Sequence, residues 1–333
     1  MKISKLIDGS SGVCPLGPSN KVKSAVRKAV KRINSGSCIG MDALKKLFES
    51  KFRLSSEKVL FANSVNELIY FIPDVLKPKR VLVVGPALDI YEDAARSAGA
   101  EVSYRAATDA DGFVFDMSCL QKDIRNIDLV FLANPNRISG KMIPSKTIGE
   151  AINRMPPGSP HFVIDESLTE FAGSDNCCDD IINQGNFTLL RTTAYFYGMP
   201  GLELAHAVSS PDRIRLYNKK KHWDINLLSI EAAKIAYKDS TYSKASRQYM
   251  LFEKKMMMRM LRKIEWIKAY DSDIHILLMK IDKNPDEVSQ KLRGAGLDIR
   301  DCAEIKGLDR SFFRIAIMKH EHNLKLISTL NSL

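Results

Sequence analysis

The chain has 333 residues, 45% hydrophobic and 27% charged, with a formal net charge of +11. These proportions describe a globular protein with room for about two domains of ~150 residues each, and no apolar run reaches the ~18 residues that a membrane span needs. The opening MKISKLIDGSSG has no apolar stretch of signal-peptide length, so a cytoplasmic location is expected.

The elements follow in chain order. A helix is predicted over Asn20-Ile33. Short runs rich in Val, Ile, Leu and Phe, closed by turn residues, predict strands at Lys58-Ala62, Arg80-Val84, Glu101-Tyr104, Leu129-Ala133, His161-Ile164, Thr188-Leu190 and His206-Ser209. Helix patterns such as Asn66-Leu76 and Ile90-Ala98 lie between them, and Gly99 stops the second. Strands alternating with helices imply an α/β fold whose mostly parallel sheet is covered on both faces. After Pro211 the pattern changes. One long helical region is predicted from Asn226 to Ile267, then a strand Ile274-Ile281, a helix Pro285-Arg293, a strand Phe312-Ile317 and a closing helix Glu321-Leu330. The expected domains are an N-terminal segment, 1–35, packing on a small domain; a large α/β domain, 36–225; and the long helix with a small α+β domain, 226–333. Met250, Met256, Met257, Met258 and Met260 recur at helical spacing, which predicts core or subunit contact.

Other features point to bland roles. Cys14, Cys38, Cys119 and Cys302 are isolated and Cys177-Cys178 adjacent, with no CxxC pair and no zinc-ligand spacing. Reduced thiols and no metal are expected. The densest basic runs, Lys219-Lys220-Lys221 and Lys254-Lys255, carry no interleaved aromatics, which favours a solvated face over nucleic-acid binding.

Seven stretches, in order, carry a family likeness. They are SSGVCPLGPSNKV near the start, ANSVNELIYFIPDVLKP at Ala62-Pro78, GPALDIYEDAARSAGAEV, NPNRISG at Asn134-Gly140, VIDESLTEF at Val163-Phe171, LLRTTAYFYGMPGLELAHAV, and IRDCAEIKGLDRSFFRIAI near the end. Together they resemble the fold-type I pyridoxal-phosphate (PLP) enzymes, with threonine-phosphate decarboxylase the nearest branch and histidinol-phosphate aminotransferase next. The resemblance implies a three-layer α/β/α large domain with a mostly parallel sheet, a small α+β domain and a homodimer.

The chemistry of that family sets clear requirements. A lysine amine forms a Schiff base with the cofactor aldehyde, and a carboxylate keeps the pyridine nitrogen protonated. A helix N-terminus with hydroxyls and an arginine grips the phosphate, and a C-terminal arginine holds the substrate carboxylate through a two-pronged hydrogen bond. By resemblance, Asp165 stands at the pyridine-nitrogen position, Arg314 at the substrate-carboxylate position, and Arg300-Asp301-Cys302 matches the branch. The other positions depart. Tyr195 stands where the lysine belongs, and a phenol cannot condense with an aldehyde. Arg137 replaces the asparagine at the ring's 3-oxygen, Leu168 the tyrosine beside it, and Leu88 the stacking aromatic. Asn63-Ser64-Val65 replaces the glycine-containing phosphate turn, with Ser64 keeping a hydroxyl; Ala194 replaces a phosphate-binding hydroxyl. Glu203 replaces the phosphate-binding arginine and reverses its charge. His275 stands where an asparagine is usual, and Cys14 replaces the asparagine before Pro15-Leu16-Gly17.

The reading that follows is a degenerate aminotransferase-like protein, with PLP implied by resemblance alone, no covalent cofactor, and an old cleft able to hold a small anionic ligand. The structural alternative is that Arg137 and Glu203 pair with each other or with Asp165. Two enzymatic readings stand beside it. One is an active PLP enzyme on an amino-acid phosphate, supported by Asp165 and Arg314. The other is PLP-independent chemistry using Tyr195, His275 and Glu203 as acid–base groups.

Overall fold

The computed structural model describes residues 6–34, 39–120, 124, 126–156, 158–173 and 186–333. Its centre is a seven-stranded sheet. The strands are β2 (Val59–Ala62), β3 (Arg80–Gly85), β4 (Glu101–Ala106), β5 (Leu129–Ala133), β6 (His161–Asp165), β7 (Phe187–Thr192) and β8 (Ala205–Ser209), in the order β2-β8-β7-β6-β5-β3-β4. Only β8 runs against its neighbours; every other adjacent pair is parallel. The alternation of side chains explains the near-continuous apolar runs. Leu82, Val84, Val130, Leu132 and Ile164 enter one core, while Val81, Val83, Leu129, Phe131 and Val163 enter the core on the opposite face. A parallel sheet covered on both faces requires this.

The helices before the C-terminal part are α1 (Asn20–Val30), α2 (Met41–Phe52), α3 (Val65–Leu76), α4 (Ile90–Ser97), α5 (Ser145–Asn153), α6 (Thr169–Ala172) and α7 (Pro211–Lys220). The single long helix expected over Asn226-Ile267 is two helices, α8 (Leu227–Lys238) and α9 (Ser240–Leu261), followed by a strand that begins at Ile267. Asp239 makes the break. Its backbone leaves helical geometry (φ −84°, ψ 75°), its carboxylate accepts from the Tyr242 N–H at 3.3 Å, and Lys21 Nζ lies 3.0 Å away. A short acidic side chain that bonds the backbone ahead of it starts a helix better than it continues one. Met250, Met257 and Met258 of α9 are buried in the core.

The C-terminal part is an antiparallel sheet of order β12-β13-β10-β9, formed by β9 (Ile267–Ala269), β10 (Ile276–Ile281), β12 (Arg300–Asp301) and β13 (Phe312–Ala316), with helices α10 (Pro285–Gly294) and α11 (His320–Asn331). The N-terminal strand β1 (Ile7–Asp8) pairs in parallel with β11 (Leu297–Asp298). Among the described residues no helix is long and apolar enough to cross a membrane. None of their His, Cys, Asp and Glu side chains groups as a metal site. Cys14, Cys119 and Cys302 are free thiols; Cys38, Cys177 and Cys178 lie outside the described residues.

Candidate functional site

Five parallel strands deliver their carboxyl ends to one edge of the sheet, the place where open α/β sheets bind ligands. Asn63 and Ser64 follow β2, Leu88 follows β3, Arg137 follows β5, Asp165 closes β6, and Ala194 and Tyr195 follow β7. Glu203 lies just before β8, on the opposite side of the Tyr195 turn. Arg314 on β13 and His275 before β10 come from the C-terminal sheet.

Asp165 is the centre of the cluster and is 1% exposed. Its Oδ2 accepts a hydrogen bond from the Tyr91 hydroxyl at 2.5 Å, and its Oδ1 accepts from the Ser167 amide at 2.9 Å and from the Ser167 hydroxyl. The Arg137 guanidinium reaches the same Oδ2, with Nη1 3.5 Å away. Arg137 Nη2 also donates to the Tyr195 hydroxyl, and its guanidinium carbon sits 4.8 Å from the centroid of that ring. Burial opposes the charge of Arg137, but Tyr195 and Asp165 hold its pKa above the ordinary value. Burial, and then Asp165, push the Tyr91 phenol well up, so it stays a donor. Of the structural alternatives for Arg137, the pair with Asp165 is the one that forms.

Glu203 does something else. Its Oε1 accepts from the Val65 N–H at 2.8 Å, at the first residue of α3, and from the Thr192 hydroxyl at 2.6 Å. A carboxylate at a helix N-terminus satisfies an otherwise unpaired amide and complements the helix dipole. Burial nevertheless raises its pKa. Ser64 caps the same helix, with its hydroxyl accepting from the Glu67 N–H at 3.1 Å, and the Glu67 carboxylate accepts from the Asn63 N–H at 2.8 Å. The Asn63 side chain turns to the Asp224 carbonyl, at 3.0 Å. Leu168 and Ala194 are buried, and Leu88 packs between two apolar clusters.

Arg314 is 6% exposed. Its Nη1 donates to the Ser10 carbonyl at 2.6 Å, whereas its Nε is buried without a partner. Burial, and then the proximity of Arg137, lower it to about 10. Arg300 lies directly across the β12–β13 ladder from Arg314, and its Nε is also buried without a partner. Gly12 makes room for the arginine: its φ is +74°, and a Cβ there would lie 3.2 Å from Arg314 Nη2. His275 donates from Nε2 to the Gly12 carbonyl at 2.7 Å, since a carbonyl only accepts, and stacks on Phe171 with centroids 3.5 Å apart. Burial lowers it to about 3. It is a neutral, packed histidine. Cys14 is buried against the Tyr242 hydroxyl, and burial raises its thiol.

Sequence reasoning missed Tyr91 and Ser167 as partners of Asp165, and Thr192 as a partner of Glu203. Tyr91 was in view within GPALDIYEDAARS, but nothing in periodicity tells a core tyrosine from one whose hydroxyl reaches a carboxylate 74 positions away. Among the described residues no lysine hydrogen-bonds to Asp165, Arg137 or Tyr195.

A doubly wound sheet carrying its functional loops at the carboxyl edge, with a small antiparallel domain beside it, defines the fold-type I aminotransferase class. The chain belongs to the aminotransferase class I and II family, whose model matches residues 4–330. A protein of Caldanaerobacter subterraneus provisionally assigned as a threonine-phosphate decarboxylase is 28% identical over 328 residues, covering 97% of this chain and 89% of that one. Histidinol-phosphate aminotransferase 2 of Archaeoglobus fulgidus is 27% identical over 332 residues, covering 99% and 93%. In three dimensions the chain resembles the histidinol-phosphate aminotransferase of Sinorhizobium meliloti, solved in complex with pyridoxal-5'-phosphate, with a TM-score of 0.88 at 18% identity over 98% of this chain and 92% of that one.

Proposed function

We propose that this chain is a non-catalytic member of its family, in which protein side chains have taken over the contacts of the cofactor and the cleft binds a small carboxylate. The observation that carries this reading is the position of Arg137, between Asp165 and Tyr195. A ring nitrogen protonated by Asp165 would need the carboxylate oxygen that Arg137 and Tyr91 already use. The guanidinium supplies the positive charge that a protonated ring would otherwise bring.

The phosphate end is occupied in the same sense. Glu203 puts a carboxylate on the N-terminus of α3, where an anion is favoured. A phosphate brought to that amide would meet a like charge. Tyr195 offers a phenol, which forms no imine. The residues present therefore do not fit pyridoxal phosphate. The residues of the C-terminal sheet are different in kind. Arg314 is buried, has no carboxylate partner among the described residues, and keeps an unpaired Nε. A bidentate carboxylate satisfies such a guanidinium.

The test is direct. The purified protein, dialysed against pyridoxal phosphate and then against buffer, is expected to show no absorption above the protein band between about 320 and 450 nm, and no label after borohydride reduction. Stoichiometric retention of the cofactor would overturn the reading. Small carboxylates such as acetate and malonate are expected to raise the melting temperature of the wild type more than that of Arg314→Lys.

A further inference from the structure

Behind the candidate site, on the sheet face that carries α2, α8 and α9, lies a second cavity of about 330 Å³. None of Asp165, Arg137, Tyr195, Glu203 or Arg314 lines it. It is at the lower end of the size range of small-molecule sites. Its walls come from sequence-distant elements: Lys51 from the end of α2, Glu170 from α6, and Lys244 and Arg247 from α9, over a floor that includes Tyr197 and Tyr237.

Two independent observations single it out. The first is a surplus of positive charge. Lys51, Lys244 and Arg247 form no ion pair with a carboxylate among the described residues. Lys51 donates to the Tyr237 carbonyl instead, and Arg247 Nε donates to the Glu170 carbonyl at 2.8 Å while its guanidinium lies over the Phe196 ring. Burial, and then the nearness of Arg247, lower the pKa of Lys51, so these two like charges already work against each other. The second is an orphaned acceptor or donor. Glu170 Oε2 is buried and has no hydrogen-bond partner. An unsatisfied buried polar atom is costly and calls for a partner.

We propose that this cavity is a second ligand site, built for a small phosphate-type oxyanion whose charge the three cations neutralise and whose oxygen the unpartnered Glu170 carboxyl contacts through a hydrogen bond. The chemistry of the wall selects the class. Three cationic groups facing one space suit more than one negative charge, and a compact tetrahedral oxyanion presents acceptors in several directions at once. A carboxyl among cations is compatible with an anionic guest when it carries its proton, and burial, the largest influence on Glu170, raises its pKa to about 7. Nearby Arg191 is engaged with Glu166 at 2.7 Å and contributes no free charge.

The experiment titrates inorganic phosphate into the full chain by calorimetry near pH 6.5. Saturable binding to the wild type is expected, weakened about tenfold or more in the double variant Lys51→Met/Lys244→Met, equivalent to ~1.4 kcal/mol. Both lysines are exposed and methionine keeps most of their aliphatic length, so the double variant should keep its fold, which circular dichroism and cooperative thermal unfolding without phosphate would verify. Glu170→Gln, which keeps a donor, should bind within a few-fold of the wild type. Arg314→Lys, in the other site, should bind as the wild type does. No saturable binding, equal binding by the folded lysine double variant, or loss of binding in Arg314→Lys alone would each overturn the proposal.

Discussion

The Glu203 carboxylate lies 2.8 Å from the backbone N–H of Val65, so the first amide of α3 is answered by a side chain from the far side of the Tyr195 turn. Removing that carboxylate leaves the Val65 amide and the Thr192 hydroxyl without their acceptor in a mostly buried setting. Glu203→Ala should therefore lower stability by ~1–3 kcal/mol, read from urea unfolding. It should also open the helix terminus to anions. Sulfate should restore part of the lost stability of Glu203→Ala, and sodium chloride at equal ionic strength should restore less. Equal rescue by both salts would show that no anion takes the vacated position.

A second prediction concerns how many changes separate this cleft from its relatives. Tyr195→Lys alone restores an amine but leaves Arg137 on Asp165 and Glu203 on α3. It should gain little affinity for pyridoxal phosphate. The triple variant Tyr195→Lys/Arg137→Asn/Glu203→Arg removes the guanidinium, reverses the charge at the helix terminus, and should bind the cofactor at least about tenfold more tightly than the single variant. Absorbance after dialysis measures both. A single variant that binds as well as the triple would show that Arg137 and Glu203 are no obstacle.

Much of the fold was legible because the physical signals are local. The runs at 80–84, 129–133 and 161–164 are apolar on both faces, which a covered parallel sheet demands, and each became a strand within one residue of its expected limits. The break at Asp239 was missed because a helical pattern of apolar residues continues on both sides, and one partner of the Asp239 carboxylate, Lys21, lies 218 positions away. The same distinction divides the site. Asp165, Arg137 and Tyr195 were singled out by their order in the chain, but their mutual contacts depend on the register of β5, β6 and β7. The expectation that His275 and Glu203 stand ready for acid–base chemistry has little support in the packing. His275 is stacked, buried and neutral, and Glu203 is committed to Val65 and Thr192.

Gly198 supplies a third test, of the turn that carries Tyr195. Its φ is +64°, and a Cβ there would lie 2.7 Å from Gly17 Cα and 2.8 Å from Gly17 C, so the obstacle is backbone and not a movable side chain. The turn is further tied to the N-terminal segment by the Cys14 N–H, which donates to the Tyr195 carbonyl at 2.9 Å. Gly198→Ala should cost more than the ~1 kcal/mol of the positive φ alone, because the two segments must separate. Gly99→Ala, at φ +87° with nothing within 4 Å of the added carbon, is the control. Thermal unfolding should rank Gly198→Ala well below Gly99→Ala. Equal melting temperatures would deny the close approach.

The buried titratable groups predict an acid limb and a neutral limb with opposite signs. Burial lowers His161, His206 and His275 each to about 3. An unfolded histidine takes up its proton near pH 6.5, so between about pH 6.5 and 3 the unfolded chain binds more protons and stability falls as the pH falls. Glu170 acts the other way. Its pKa is raised to about 7, above the carboxyl value of the unfolded chain, so its contribution is complete below about pH 4.3 and is lost as the pH rises through 7. The groups around it are Arg191 and Glu166 from the sheet edge, Arg247 from α9, Lys51 from α2, and the phenols of Tyr197 and Tyr237. Deprotonation is resisted by burial and by Glu166, and favoured by the arginines. Glu170→Gln cannot titrate. The stability difference between wild type and Glu170→Gln should therefore shift against the wild type by up to ~3 kcal/mol from pH 5 to pH 8, at ~1.4 kcal/mol per pK unit. Urea midpoints at the two pH values measure it. A difference that stays constant would mean that Glu170 is ionised in the folded chain at both, paired with Arg191 or Arg247, and a charged carboxylate in that cavity would repel the anion proposed for it.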